Sequence, residues 1–273
     1  MKQRLGLNGA TLPTSDLLAG IRSAAAAGFS FYEPRIPELE HLRSSSEEAN
    51  VRRALEDAAI GWLPLNALEG VFATSNVALQ ENAQRIFSSA TPFGIRELIV
   101  VPGPVEHTVD RSEAVSLLKC LRSLAEAHSF SLLYEFIGFS HHAFPSLEEA
   151  RTVASAARLP LVLDTFHLAA SQTPPAVIET LEADEIGLVH LSDAYIHANG
   201  VNQIADRDRV LPGEGQLPLD KILGAVLETG YTGPISVEVF HPKYGELPPE
   251  DVAREAYVRA TELLSRIHDH RTS

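Results

Sequence analysis

Five residues from position 135 onward have side chains that bind metals or move protons, and each sits in or at the end of a short apolar run. They are Glu135 in LLYEF, Asp164 and His167 in LVLDTFH, His190 in IGLVH and Glu238 in PISVEVF. In an all-parallel α/β protein such runs are buried strands, and residues at their carboxyl ends face the place where these folds keep their chemistry. A single Glu at such a position reads as the partner of a barrel Arg or Lys. Two of them, with Asp164 and His190 at two further strand ends, are harder to neutralise that way, because charged groups are almost never buried without a partner. Glu135, Asp164, His190 and Glu238 converging on one divalent cation would satisfy all four together. His167, three residues past Asp164, reads equally as a satisfied structural histidine and as a hydrogen-bond donor to substrate.

The donor set limits the ion. Three carboxylates and an imidazole, with no thiolate, suit Mn²⁺, Mg²⁺, Co²⁺ or Zn²⁺, and the imidazole tilts the choice from Mg²⁺ towards Zn²⁺ or Mn²⁺. Such an ion polarises a carbonyl and holds the neighbouring hydroxyl, so that loss of a proton from the adjacent carbon gives a chelated enediolate in place of a free carbanion. Carboxylates on opposite sides can then pass the proton, which is general acid–base chemistry without a redox cofactor.

The elements that must position these groups alternate along the whole chain. RLGLN, FSFYEP, WLPLNAL, IRELIVVPGP, SLLYEF, LPLVLDTFH, IGLVHLSDA and GPISVEVF read as eight strands, each followed by an amphipathic segment or a helix-bearing loop. Ser15 is placed to cap the first helix and Gly28 to stop it, and the serines of SSSEEANVRRALEDAA to cap the second. Eight such units predict an α/β fold, a (β/α)8 TIM barrel forming a single domain over 1–273. The open doubly wound sheet is the alternative, and no Gly-rich phosphate loop follows the first strand, so no nucleotide cofactor is expected. The longest loop, IHANGVNQIADRDRVLPGEGQ, lies between the seventh strand and its helix; Asp193 and His197 in it, like His141 and His142 earlier, default to capping and solvation. The tail IHDHRTS reads as frayed.

Composition excludes other classes. Against 36 Asp and Glu stand 22 Lys and Arg, a formal net charge of -14 that offers no basic face to nucleic acid. No apolar run approaches the ~20 residues of a membrane span, and the opening MKQRLGLNGATL lacks a signal peptide's apolar region, so a cytoplasmic protein without a membrane partner is expected. The single cysteine, Cys120, falls in the helical pattern AVSLLKCLRSLAEAH, where a buried thiol is expected and a disulfide framework is excluded.

Glu135 in LLYEF, Asp164 and His167 in LDTFH, His190 in VHLSD, the DRVLPGEG loop and Glu238 in SVEVFHPKYGELPPE together resemble the xylose-isomerase-like TIM-barrel superfamily of sugar isomerases and epimerases, nearly end to end. Within it the resemblance is greatest to the branch that isomerises inososes such as 2-keto-myo-inositol. It implies a small keto-polyol or sugar as substrate and Glu135, Asp164, His190 and Glu238 as metal ligands. It also implies that Glu135 and Glu238 form the proton-transfer pair, that His167 and Arg209 contact substrate oxygens, and that the strand-end pair Glu33 and Arg35 faces the mouth. Barrels of this kind often pair, which makes a homodimer the oligomer to look for. The chain departs from the pattern in FIGFSHHAF after Glu135 and in His241, where a basic Arg would fit; both stretches are candidates to contact substrate. Three rivals share the fold. DNA-repair nucleases of the superfamily use further histidines on the early strands, where this chain has Asn66 and VVPGP, with His107 only in the loop beyond. Dehydratases of the 3-dehydroshikimate or inosose type share the metal set and the first proton abstraction but expel water, and a non-catalytic sugar-binding barrel would need no second carboxylate on the ion.

Overall fold

A strand that must present one face to a barrel interior and the other to surrounding helices alternates its side chains, and that alternation decides what this molecule holds inside. The computed structural model describes residues 4–12, 16–40, 42, 45–197, 200–201 and 204–272. Strand β1 (Arg4–Asn8) leads into α1 (Leu17–Ala27), and β2 (Phe31–Glu33) into α2 (Ile36–Glu40) and α3 (Ser45–Ala58). The third strand comes in two pieces, β3 (Gly61–Trp62) and β4 (Leu65–Leu68), before α4 (Asn76–Ala90). Next come β5 (Glu97–Val100) with α5 (Arg111–Ala127) and β6 (Ser131–Glu135) with α6 (Leu147–Ala157). β7 (Leu161–Asp164) runs directly into α7 (Thr165–Ala170), which is followed by α8 (Pro175–Ile178). After β8 (Ile186–Leu191) come two short strands, β9 (Asp193–Ala194) and β10 (Arg209–Val210), then α9 (Leu219–Glu228), β11 (Pro234–Val237) and α10 (Pro249–Thr272).

Nine strands pair in the order β3-β2-β1-β11-β8-β7-β6-β5-β4. First and last are joined in parallel, with Leu5 opposite Ile235 and Leu7 opposite Val237. Because β3 and β4 are halves of one strand, the row closes on itself as the expected (β/α)8 barrel. The break falls at Pro64, which has no N–H for the ladder. Pairing with the second strand continues past it, through Leu63 N to Tyr32 O and Asn66 N to Pro34 O, both 2.9 Å.

The two faces separate cleanly. Leu5, Leu7, Tyr32, Leu132, Tyr134, Leu163, Val189, Ile235 and Val237 belong to the outer core between sheet and helices, whereas Leu63, Ile99, Leu133, Val162 and Leu188 form a separate cluster. With a side-chain period of two, the residues one step further along on that second face are Glu135, Asp164 and His190, and by the same parity Asn8, Glu33 and Glu238. An apolar plug thus fills the barrel, and a polar layer lies directly above it at the carboxyl ends of the strands.

Local details differ from the sequence reading in three places. The side chain that caps α1 is Asp16, which accepts from the N–H groups of Leu18 and Ala19; Ser15 lies outside the described residues, as do Ser44 and the side chains of Ser45 and Ser46 before α3. Gly28 does end α1, at φ 105°, a left-handed conformation that a Cβ would strain. Cys120 is exposed, not buried: the inward stripe of α5 is Ala114, Leu118, Leu121 and Ala125, and Cys120, about 200° from Leu118 on the helix, faces away from it. The carboxyl-terminal segment, expected to fray, is helical as far as Thr272, where α10 ends, and Ser273 lies outside the described residues. Among the described residues no helix is long and apolar enough to cross a membrane.

Candidate metal centre and active site

Glu135, Asp164, His190 and Glu238 come from four strand ends and are all buried, and each offers one ligand atom such that these atoms lie within 4.8 Å of one another. His190 stands in the middle. Its Nδ1 is 3.1 Å from Glu135 Oε1 and 3.3 Å from Glu238 Oε2, and its Nε2 is 2.9 Å from Glu33 Oε1. With Nε2–H donating to Glu33, Nδ1 is the edge that faces Glu135 and Glu238, and on losing its proton it would offer its lone pair to a cation held between them.

Glu238 is held at both ends. The Asn8 and Asn66 amides donate to its Oε1 at 2.9 and 3.0 Å, which turns Oε2 towards His190. Asn8 cannot be turned round, since its Oδ1 accepts from Ala10 N–H at 2.8 Å. The backbone on either side of Glu238 is clamped by Thr11, whose hydroxyl donates to Val237 O and accepts from Val239 N–H. Thr165 does the same beyond His190, donating to Ser192 O and accepting from Ser192 N–H. Two threonines thus fix the chain where strands leave the barrel and regular pairing ends.

Arg209 reaches the same layer from the long loop and is almost fully buried. Its Nη1 is 2.7 Å from Asp164 Oδ2 and 3.1 Å from Ser192 Oγ, its Nε donates to Asp206 at 3.1 Å, and its Nη2 lies 3.3 Å from His167 Nε2. The guanidinium lies over the Phe166 ring at 4.2 Å, with Phe240 at 5.2 Å. Asp193, expected to be solvated, is buried and brings this loop home. Its carboxylate accepts from the N–H groups of Ala194, Gly213, Gly215 and Leu217, while β9 and β10 pair antiparallel beside it. A Cβ on Gly215 would come within 2.3 Å of Ala194 O, so the close approach needs glycine. His197 is mostly exposed but pairs with Asp208 at 2.8 Å.

The electrostatics follow from burial and charge. Burial opposes a proton on His190, but Glu238, Glu33 and Glu135 outweigh it and raise its pKa well above the usual value. Burial raises Glu135 and pushes Glu238 up to about 8. At Asp164 burial is outweighed by Arg209 and His167, so its pKa is lowered. Burial lowers His167 to about 4, which makes it neutral; with Nε2 accepting from Arg209, its proton lies on Nδ1, which is buried and has no hydrogen-bond partner among the described residues. Four carboxylates around one guanidinium and one imidazole leave excess negative charge in a dry site, the condition a cation relieves. Asp164 Oδ2 is a buried acceptor without an aligned hydrogen bond, although Arg209 is close. A divalent ion with bonds near 2.1 Å spaces its ligands within about 4.2 Å, so the four donor atoms need only sub-ångström movement to hold one. The residues present fit the group.

Of the residues singled out in sequence, the structure brings Glu33, Glu135, Asp164, His167, His190, Arg209 and Glu238 into one contiguous network. Arg35 stands apart, half-buried, and its charge acts on Glu38 and Tyr32. His141 stacks on Phe139, whose ring also meets His167 edge-on at 5.1 Å, so the FIGFSHHAF stretch does border the site. Asn8, Thr11, Asn66 and Thr165 are not singled out as site residues by the sequence; Asn8 and Asn66 signal only as polar residues in strands, and Thr11 and Thr165 lie in the turn and helix beyond strand ends.

A buried carboxylate and imidazole cluster at the carboxyl mouth of a parallel barrel defines a metalloenzyme site of the TIM-barrel class. Residues 21–260 match the xylose isomerase-like TIM barrel family, and the chain belongs to it. It is 26% identical to an inosose isomerase of Halalkalibacterium halodurans over 94% of each chain. It is 28% identical to a 3-dehydroshikimate dehydratase of Pseudomonas aeruginosa over 92% of this chain but 40% of that one. A crystal structure of the IOLI protein with a binding zinc atom superposes with TM-score 0.88 at 24% identity, covering 97% of this chain and 99% of that one. Family, site and relatives make this chain a metal-dependent enzyme of the isomerase type.

Proposed function

We propose that the enzyme isomerises a keto-polyol, 2-keto-myo-inositol to its 1-keto isomer, by moving a proton between adjacent carbons. The observation that carries this reading is the pair Glu135 and Glu238, whose oxygens lie 3.1 and 3.3 Å from the same His190 nitrogen and so flank one point from two strands. Glu135, Asp164, His190 and Glu238 would hold one divalent ion, zinc or manganese, and the ion when bound would polarise a carbonyl and the hydroxyl beside it. A zinc atom in the IOLI protein favours zinc.

The other parts belong to the chain's own side chains. Of the two flanking carboxylates one takes the proton from the hydroxyl-bearing carbon and the other returns one to the former carbonyl carbon, while the hydroxyl proton passes to the former carbonyl oxygen, and burial keeps both carboxylates basic enough to do so. Arg209, whose guanidinium stays charged, lies beside the pair and stabilises negative charge that grows on substrate oxygen. The unpartnered Nδ1–H of neutral His167 is a ready donor to a substrate hydroxyl. Buried Phe166 and exposed Phe240 lie against the Arg209 guanidinium and give it apolar walls.

The inosose isomerase matches over 94% of both chains and the dehydratase over 92% of this chain, so the product formed separates isomerisation from loss of water. The test is product analysis by NMR after incubating metal-loaded protein with keto-inositols, ketohexoses and 3-dehydroshikimate. A rearranged inosose supports the assignment. A dehydrated product rejects it for a lyase, a rearranged ketohexose alone rejects the substrate, and no turnover with metal bound rejects catalysis.

A further inference from the structure

Asn66 contributes no metal donor, yet its one amide nitrogen touches both halves of the site. It donates to Glu33 Oε1 at 3.0 Å and to Glu238 Oε1 at 3.0 Å, so both of its N–H bonds end on carboxylates. The opposite orientation would press the amide oxygen against two carboxylate oxygens, so chemistry fixes which end faces inward. Glu33 in turn accepts from His190 Nε2 at 2.9 Å, and its side chain is fully buried. A continuous path, Glu238 to Asn66 to Glu33 to His190, therefore links two of the four donors through the second and third strands, beside the direct 3.3 Å approach of His190 Nδ1 to Glu238 Oε2. Asn8 reaches Glu238 alone.

We propose that Asn66 is the positioning residue of the metal site. It turns Glu238 Oε2 towards the ion directly and, by holding Glu33, fixes the tautomer and angle of His190. A charged residue could not replace it: an aspartate would face two carboxylates, and a lysine would neutralise the oxygens that the two ligands depend on. The neutral, two-armed amide supplies two donors and no charge. The split third strand suits the task, since the backbone after Pro64 still hydrogen-bonds Pro34 O through Asn66 N–H, which anchors the side chain one step from β2.

This proposal rests on the reading that Glu135, Asp164, His190 and Glu238 hold a divalent ion, and the experiment separates the two. Zinc affinity is measured by chelator competition, and the visible absorption of the cobalt-loaded protein reports ligand geometry, for wild type, Asn66→Ala, Asn66→Ser, Asn8→Ala, Glu33→Ala, Glu33→Gln and Asp164→Ala. Loss of a partner that orients a ligand costs about 10–100-fold in metal affinity, and that is the loss expected in both Asn66 variants and in Glu33→Ala, with an altered cobalt spectrum. Glu33→Gln, whose amide oxygen can still accept from His190 and Asn66, should retain near-native affinity. Asn8→Ala should lose under about 3-fold, because Asn66 still holds Glu238. Circular dichroism of the metal-free variants checks the fold, and if Asn66→Ala does not fold, Asn66→Ser and the Glu33 pair decide. Native zinc affinity and cobalt spectrum in the Asn66 variants, with zinc lost in Asp164→Ala, would overturn the proposal and leave the metal assignment standing. Zinc retained in Asp164→Ala would remove the metal assignment and the proposal together.

Discussion

Replacing Arg209 with alanine separates what this residue does for the fold from what it does for the reaction. Its Nη1 lies 2.7 Å from Asp164 Oδ2, and both side chains are nearly inaccessible, at 2% and 0%. In the metal-free protein the substitution leaves Asp164 ionised in a dry site without its main cation. Breaking a buried pair from one side costs about 3–5 kcal/mol. For a chain of this length each kcal/mol is roughly 2 °C, so the metal-free melting temperature should fall by about 6–10 °C. With metal bound, Asp164 has a second cation and the fall should be smaller, while turnover drops in either case because the charge beside the reacting oxygen is gone. Arg207, two residues away and exposed, should change melting by about 1 °C at most when replaced. Calorimetry with and without chelator, beside steady-state rates, reads all of this. Equal effects from Arg207→Ala and Arg209→Ala, or a metal-free Arg209→Ala that melts like wild type, would refute the reasoning.

The remaining expectations concern the carboxylates and the ion. Glu135→Gln should keep most of its metal, since no amide claims its oxygens and the retained one can turn to the ion, yet lose about 10²–10⁴-fold in turnover as expected for a missing base. Glu238→Gln should lose metal as well, because Asn8 and Asn66 hold the retained oxygen and leave the NH₂ facing the ion; metal content by elemental analysis distinguishes the two. Stripping the metal should abolish activity and Zn²⁺, Mn²⁺ or Co²⁺ should restore it, whereas full metal occupancy in an Asp164→Ala, His190→Ala double variant would contradict the assigned ligands. Away from the site, burial pushes Glu38 from 4.5 up to about 7, where it accepts from Tyr32 OH at 2.6 Å and Arg35 N–H at 2.7 Å. The folded protein then binds that proton more tightly than the unfolded chain, so the contribution is full at low pH and is lost as pH rises from about 4.5 to 7, by at most about 3 kcal/mol. Denaturant titrations at pH 5 and 7.5 should show that slope reduced in Glu38→Gln; an unchanged slope would mean Glu38 titrates normally.

What could be read in sequence was what the barrel parity makes unavoidable. Glu135, Asp164, His190 and Glu238 each interrupt or end an apolar run, and a charge in that position advertises its need for a partner. Glu33 carried the same signal, but sequence could not tell that it backs His190, because that contact joins strands 157 residues apart. Asn8 and Asn66 are neutral amides that cost nothing visible in a sequence, and Thr11 and Thr165 look like ordinary turn residues until the strands they clamp lie beside them. Asp193 was read as a loop residue, and only the folding back of β10 onto β9 shows that four N–H groups converge on it. Cys120 is a matter of phase: AVSLLKCLRSLAEAH announces the helix, but its inward stripe runs through Leu118 and Leu121. The split at Pro64 follows from a residue visible in WLPLNAL, and pairing with both neighbours survives it.

In the proposed reaction two carboxylates flanking one ion move a proton between adjacent carbons of a keto-polyol. The most direct measurement is NMR of the zinc- or manganese-loaded enzyme turning over 2-keto-myo-inositol in deuterated water, with Glu135→Gln in parallel. The account predicts a 1-keto isomer carrying deuterium at the new C–H carbon, at a rate that Glu135→Gln lowers by about 10²–10⁴-fold. A product that has lost water, or isomerisation that proceeds at the same rate without Glu135, would contradict it.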